Sequence, residues 1–469
     1  MMRTALALAL LSLSLLAADG KTLPNILVIL VDDMGYGDLK SFNPDSKIPT
    51  PNLEKLAREG MRFTDAHAPG PLCHLSRYGL MTGRYPFRAN TGAWRTKASI
   101  KKGQTTIASL LRGKGYRTAM VGKWHLGFDE NGYDKPLPGG PVDVGFETFF
   151  GIRASTDIPP YFYIRGNRAV SEPSARIASN YSDGWSRIQG AFWRAGGISP
   201  GLRLKDVLPL FTEEAVKVIQ THEVTAAKPL FLYLAYPAPH TPWLPSKKFK
   251  GTSGAGMYGD FTAMVDDEIG RILQALELRN LTANTLVIFT SDNGPVWYED
   301  DVRRFAHEAS GGLRGMKADA WEGGHRMPFL LRWPGVVEGG QATSHLVCFT
   351  DLLATFSEIT SSPLPDDQSF DSESFLSILR DPLSPHPPRG PIVMQAGSGA
   401  MMIRDGDWKL IDQLGSGGFS APKRLKPGPG DPEGQLYNLA ADPSEKSNLW
   451  DKHPEIVRKL GARMRKIAR

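Results

Sequence analysis

Apolar positions along this chain fall into two alternating rhythms. An apolar run rich in β-branched residues stands at Asn25-Ile26-Leu27-Val28-Ile29-Leu30-Val31, and 116–121, 229–236 and 284–290 read as further strands. Runs this short and this apolar predict strands buried on both faces, the pattern of a parallel sheet. Helical stretches lie between them. Thr50 followed by Pro51 reads as an N-cap with proline at the first helical position, opening a helix that passes Ala57 and ends near Gly60. Residues 105–114 read as a second helix, 207–222 as an amphipathic one and 257–281 as a long one. This alternation over residues 21–381 predicts a doubly wound α/β domain.

The rhythm then breaks. The Pro-rich run from Pro382 to Pro388 predicts a linker. Beyond it, Met401-Met402-Ile403-Arg404 and Trp408-Lys409-Leu410-Ile411 flank Asp405-Gly406, a hairpin signal. With a basic amphipathic helix at 454–467, residues 391–469 predict a small antiparallel sheet with a helix packed on it. Between 151 and 200 neither rhythm holds, and Tyr161, Phe162, Tyr163, Trp185 and Trp193 crowd together. That stretch fits a substrate-facing insertion and a packed loop excursion equally well.

The first residues obey a different rule. A short basic start, an apolar run from Thr4 to Leu16 and the small, polar Ala17-Ala18-Asp19-Gly20 predict a signal peptide over 1–20 and a secreted or periplasmic protein. The run is too short for a membrane span, and no later stretch is long and apolar enough for one. Two cysteines make no disulfide framework. Cys348, inside an apolar run, reads as a buried structural thiol, which leaves Cys73 unpaired. The formal charge of +6 permits anionic substrates, and without a basic run or nucleic-acid motif it gives no sign of nucleic-acid binding.

Cys73 stands at the mouth of an expected helix with Arg77 one turn on, a position that suits an anion and favours a reactive sulfur. Taken alone, it is also what a small buried Cys beside a structural Arg looks like. The strand ends change that balance. Ligands gather beyond the carboxyl ends of strands in open α/β sheets. There the chain delivers Asp32-Asp33, then Lys123 and His125, then His240 in a proline-rich turn, then Asp292-Asn293, and a Gly-rich segment adds Lys317. The oxygens of Asp32, Asp33, Asp292 and Asn293 suit Ca²⁺ or Mg²⁺ rather than Zn²⁺. Two lysines and an arginine would surround an anion, and two histidines could move protons near neutral pH. Such a set serves displacement at a tetrahedral oxyanion ester, sulfate or phosphate.

Six motifs in order carry a resemblance. They are Val31-Asp32-Asp33-Met34-Gly35-Tyr36-Gly37-Asp38, Cys73-His74-Leu75-Ser76-Arg77 with Thr82-Gly83-Arg84-Tyr85-Pro86, Gly122-Lys123-Trp124-His125-Leu126-Gly127, Pro239-His240-Thr241-Pro242, Thr290-Ser291-Asp292-Asn293-Gly294 and Trp321-Glu322-Gly323-Gly324. The chain resembles a type I sulfatase of the alkaline phosphatase superfamily over nearly all its length after the leader. The resemblance implies an alkaline-phosphatase-like mixed sheet and a Cα-formylglycine made from Cys73 by a formylglycine-generating enzyme. It further implies a metal ion, Ca²⁺ with Mg²⁺ as the other candidate, at Asp32, Asp33, Asp292, Asn293 and the modified Cys73. Lys123 and Lys317 would offset sulfate charge, His240 would protonate the leaving alcohol, His125 would act as base and Arg77 would orient the hydrate. Ser155 matches a sulfate contact. One position departs: the modification motif has Pro, sometimes Ala, where this chain has Leu75.

The resulting expectation is a secreted sulfatase acting on sulfate esters of carbohydrates. Two alternatives stand beside it. One is a phosphoester or phosphonate hydrolase of the same superfamily. The other is a non-catalytic binder of sulfated glycans that keeps Cys73 as a thiol.

Overall fold

The structure is a computed structural model and describes residues 23–223, 228–368, 370–382 and 385–469, so the expected signal peptide lies outside the described residues. The apolar runs form the middle of one ten-stranded sheet. Its strands in chain order are β1 Asn25–Asp32, β2 Met61–Phe63, β3 Arg117–Lys123, β4 Thr148–Ile152, β5 Tyr163–Arg165, β6 Arg168–Ala169, β7 Leu230–Pro239, β8 Thr285–Ser291, β9 Phe329–Arg332 and β10 Gln341–Thr343. Across the sheet they run β10-β2-β9-β8-β1-β7-β3-β4-β5-β6. The consecutive strands β8, β1, β7, β3 and β4 are parallel, while β9 and β5 pair antiparallel at either side. The sheet is therefore mixed, as expected, with its parallel part in the centre.

Burial explains the unbroken apolar runs. Along β1, Ile26, Val28 and Leu30 enter one hydrophobic core while Leu27, Ile29 and Val31 enter another on the opposite face. Helices cover both faces. Helices α1 Pro51–Glu59, α4 Val207–Gln220 and α5 Gly256–Leu278 bring Leu53, Phe211 and Ile269 to the second core. Helices α2 Cys73–Thr82, α3 Ile107–Gly113 and α6 Asp351–Thr360 bring Leu80, Leu111 and Phe356 to the first.

A second sheet of four antiparallel strands, β11 Ile392–Gln395, β12 Met401–Asp405, β13 Trp408–Ile411 and β14 Gln435–Asn438, contains the expected hairpin, with Arg404 opposite Lys409. Helix α7 Pro454–Ala468 packs on it through Leu460 and Met464. This third core also takes in Tyr85, Trp321 and Cys348 from the larger sheet's side. Cys348 is the buried thiol its apolar run suggested.

Two details differ from the expectation, and a third was left open by it. Thr50 sits at the N-cap of α1, yet its hydroxyl has no partner among the described residues. The cap comes from α5 instead, where the Asp266 carboxylate accepts from Asn52 N at 3.1 Å and Leu53 N at 2.8 Å. Helix α3 begins two residues later than its pattern suggested, because Thr106 Oγ1 accepts from Ser109 N at 3.0 Å and sets the cap there. The aromatics of 151–200 pack inward: Tyr161 and Phe162 are buried, and Trp185 meets Trp243 and Phe305. What this stretch turns toward the strand ends is Ser155, Asp157 and Arg194 together with Ile158 and Ile188. No helix among the described residues is long and apolar enough to cross a membrane.

Candidate active site

The parallel strands bring their carboxyl ends to one place. Val31 pairs with Ser291 and Asp32 with Pro239, so Asp32, Asp33, His240 and Asp292 leave the sheet at one level. Asp33 and His125 both have left-handed backbones, with φ of 63° and 58°. For residues with a Cβ this costs roughly 1–2 kcal/mol, and it turns the chain sharply just past the strand end. Gly122, with φ 120°, lies where a Cβ would come 1.9 Å from the Ala235 carbonyl oxygen, so only glycine lets β3 approach β7 just before Lys123.

Every residue expected in the site from the chain's motifs arrives there, and each is buried. Lys123 Nζ donates to Asp32 Oδ2 and to Ser155 Oγ, the latter at 2.7 Å. Lys317 Nζ lies 2.7 Å and 2.8 Å from the two oxygens of Asp33. Arg77 grips Asp292 Oδ2 from Nε at 2.9 Å and Nη2 at 2.7 Å, while its Nη1 donates to the Lys123 carbonyl at 2.9 Å. Asn293 Nδ2 donates to Asp33 Oδ1 at 2.7 Å, but Asn293 Oδ1 is buried with no partner among the described residues. Beneath Asp33, the Asp38 carboxylate accepts from Gly35 N, Tyr258 and His307 and holds the turn.

Asp32, Asp33, Cys73 and His240 bring ligand atoms within 4.8 Å of one another. Asp292 and Asn293 join this group through hydrogen bonds, Asp292 Oδ1 accepting from Asp33 N at 3.3 Å. The charges do not settle equally. Against the upward pull of burial, Lys123 and its cationic neighbours hold Asp32 well below the usual carboxylate range. Burial and the adjacent Asp32 push Asp292 up to about 6, and burial also raises Asp33.

The Cys73 thiol corrects an expectation. Its place at the start of α2 suggested a reactive sulfur, yet burial, Asp292 and Asp32 push it well above the usual thiol value. Its Sγ donates to Asp32 Oδ1 at 3.3 Å. Burial and two nearby carboxylates outweigh a helix start, so the thiol stays protonated.

The two histidines differ in their bonding. His240 Nδ1 lies 2.7 Å from the Thr241 carbonyl oxygen, which makes Nδ1 the protonated nitrogen and turns Nε2 toward Asp33 Oδ2 at 3.6 Å. Burial and Lys317 lower its pKa to about 4. Neither ring nitrogen of His125 has a partner among the described residues, and the Trp94 ring stands edge-on to it at 4.1 Å. Burial and Lys123 hold His125 well below the usual imidazole value.

A cavity of about 260 Å³ opens above these groups. Its floor is Asp33, Cys73, His125, Ser155, His240 and Lys317, and its wall includes His74, Trp94, Arg95, Asp157, Arg194 and Phe419. None of these wall residues stood out as functional in the sequence. Only His74, inside the Cys73 motif, had a local signal.

Comparison with known proteins places this geometry. The model of the family described as Sulfatase matches residues 24–362. An N-acetylgalactosamine-6-O-sulfatase of Bacteroides thetaiotaomicron is 34% identical, covering 93% of this chain and 91% of its own length. The N-acetylgalactosamine-6-sulfatase of Mus musculus is 33% identical over 86% of this chain and 75% of its own. A solved structure connected with the metabolism of multiple glycosaminoglycans by Bacteroides thetaiotaomicron superimposes with a TM-score of 0.84 at 31% identity, covering 95% of this chain and 99% of that one. The fold extends to a phosphonate monoester hydrolase of Agrobacterium radiobacter, with a TM-score of 0.63 at 17% identity over 95% of each chain. The chain belongs to the sulfatase family, the sulfuric ester hydrolases of the alkaline phosphatase superfamily.

Proposed function

We propose that this protein removes sulfate from a sulfated amino sugar in a glycan, an N-acetylgalactosamine 6-sulfate group being the first substrate to try. The observation that carries the reading is the convergence of Lys317, His125 and His240 around Cys73 at the foot of one cavity, with Lys123 buried behind them on Asp32 and Ser155. The naming of the relatives supports the sugar. The phosphonate hydrolase alternative draws only on shared fold.

The donor set fits a hard divalent cation, Ca²⁺ or Mg²⁺, held by Asp32, Asp33, Asp292 and the unpartnered Asn293 Oδ1, with the modified Cys73 completing the set. Bound there, it would draw charge from the sulfate oxygens. The protonated thiol is a poor nucleophile, which supports conversion of Cys73 to formylglycine by a maturation enzyme; its hydrate supplies an oxygen nucleophile. Lys123 and Lys317 then lie beside the sulfate oxygens, and Ser155, already bonded to Lys123, adds a hydroxyl. Arg77, fixed by Asp292 and the Lys123 carbonyl, orients the hydrate. His240 delivers a proton from Nε2 to the leaving alcohol, since its Nδ1–H is committed to Thr241; the incoming anion raises its proton affinity. His125, neutral and without a partner among the described residues, accepts the proton of the second hydroxyl and so releases sulfate. The leader-like residues 1–20 support export to the periplasm or beyond.

A panel of sulfated saccharides, aryl sulfates and the matching phosphate esters tests the reaction. Preferential turnover of a sulfated amino sugar is expected, and faster turnover of phosphate or phosphonate esters would replace the reading. Mass spectrometry of the Cys73 peptide from native-host protein should show the sulfur replaced by a carbonyl oxygen. An unmodified thiol, in protein that binds sulfated sugars without turnover, would point to a binder. His240→Ala should slow sugar sulfates by about 10²–10⁴-fold and aryl sulfates, whose leaving groups need little protonation, far less. Equal losses would leave His240 as a binding residue.

A further inference from the structure

Each charge lining the cavity can be assigned a partner except one. Lys317 pairs with Asp33, and Arg194 pairs with Asp157. Arg95, which also lines the cavity, has no carboxylate partner among the described residues. Its side chain is exposed and is nonetheless placed. The guanidinium carbon lies 4.8 Å above the Trp94 ring, and Trp94, only 6% exposed, is wedged edge-on against His125. The backbone of Arg95 is tied down as well. Its carbonyl accepts from the Arg153 guanidinium, which Glu130 holds from the other side at 2.6 Å. A surface arginine needs no such support, whereas one held out to a ligand does.

Resting on the sulfatase reading above, we infer that Arg95 on its Trp94 platform is a second anion site, which takes a carboxylate or sulfate on the sugar next to the one being desulfated. The substrate class this defines is an acidic oligosaccharide rather than a lone sulfated sugar. The sulfate undergoing hydrolysis is met by Lys123 and Lys317, so the charge of Arg95 is additional to what the reaction needs. His74 borders the same cavity, and its ring lies 6.3 Å from that of Trp94.

The test compares two disaccharides with the same sulfated sugar, one joined to a uronic acid and the other to its carboxyl-reduced counterpart. An ion pair made by an exposed arginine discriminates by about 0.2–1 kcal/mol, so wild-type kcat/KM should favour the acid by roughly 1.5–5-fold. Arg95→Met should bring that ratio close to one while leaving the reduced disaccharide and an aryl sulfate unaffected. Added salt should shrink the wild-type ratio. A wild-type ratio of one overturns the inference, and so does an Arg95→Met loss that is equal on both disaccharides. Calorimetric binding to Cys73→Ala protein reads the same ratio in Kd. If neither disaccharide is turned over, the sulfatase reading fails, while the Kd ratio still decides the role of Arg95.

Discussion

Lys317 and Glu322 lie five positions apart and belong to two buried clusters of charge with opposite characters. Around Glu322, the Lys409 ammonium lies 3.0 Å from Glu322 Oε1, 2.8 Å from Glu445 Oε1 and 3.0 Å from His325 Nε2. His325 continues to His67 at 3.0 Å, and His67 to Asp65 at 2.8 Å. His67, Glu322 and His325 are close enough together to hold a metal ion, but the cation among them is the chain's own lysine. Around Lys317, by contrast, Asn293 Oδ1 and both nitrogens of His125 are buried with no partner among the described residues, whereas Glu445 Oε1 in the first cluster, which makes no hydrogen bond either, is met by the Lys409 charge at 2.8 Å. Buried polar groups in native proteins are nearly all satisfied. A cluster that satisfies itself holds shape, and one that leaves acceptors and bases unmet is shaped for something outside the chain.

Opening the closed cluster should have the largest effect. Lys409→Met leaves Glu322 and Glu445 buried without their cation, at a cost of about 3–5 kcal/mol in denaturation measurements. A loss within error of zero would mean that the cluster is not held by its charge. Lys317→Met removes a cation from the open cluster. It should cost about 10²–10³ in kcat with a smaller fall in stability than Lys409→Met, and the reverse ranking would erase the contrast.

Dialysis against a chelator should lower the stability of wild type and of Lys409→Met by the same increment. That increment is about 2.7 kcal/mol for a cation present at 100 times its Kd. Unequal increments would show that the clusters are coupled. The smallest effect concerns pH. Burial pushes Glu445 up to about 7 from an ordinary value of 4.5, with Lys409 opposing. Its folded pKa is the higher one, so its contribution is full below about pH 4.5 and is lost as pH rises toward 7. Glu445→Gln has no such loss, and relative to wild type its stability should rise by on the order of 1 kcal/mol between about pH 5 and 8. A flat difference would place the titration elsewhere.

Much of this site was legible before any coordinates. An apolar run such as Ile26 to Val31 has one outcome, a strand covered on both faces, and the residues just past its carboxyl end are delivered to the edge where ligands gather. Asp32, Lys123, His240 and Asp292 were found in that way. Other features had no local signal. Leu53 takes its cap from Asp266, 213 positions away, and Glu322 takes its cation from Lys409, 87 positions away. Nothing in the neighbourhood of either residue indicates such a partner. The stretch 151–200 shows the same limit: its aromatics fitted a substrate-facing insertion and a packed excursion equally, and the fold packs Trp185 against Trp243 while Ser155, Asp157 and Arg194 line the cavity with Ile158 and Ile188.

Sequence by itself determined the class of sheet, the order of the motifs and the set of chemical groups at the strand ends, because periodicity and residue type act over short stretches of chain. Tertiary structure decided which charges are satisfied. It turned Cys73 from an expected reactive thiol into a protonated one by setting it among Asp32 and Asp292. It paired Arg194 with Asp157 and left Arg95 on Trp94 without a carboxylate partner among the described residues. The physical reason is that burial and Coulomb interactions depend on distances across the fold, and those distances are set only when the sheet, its helices and the small second sheet have packed.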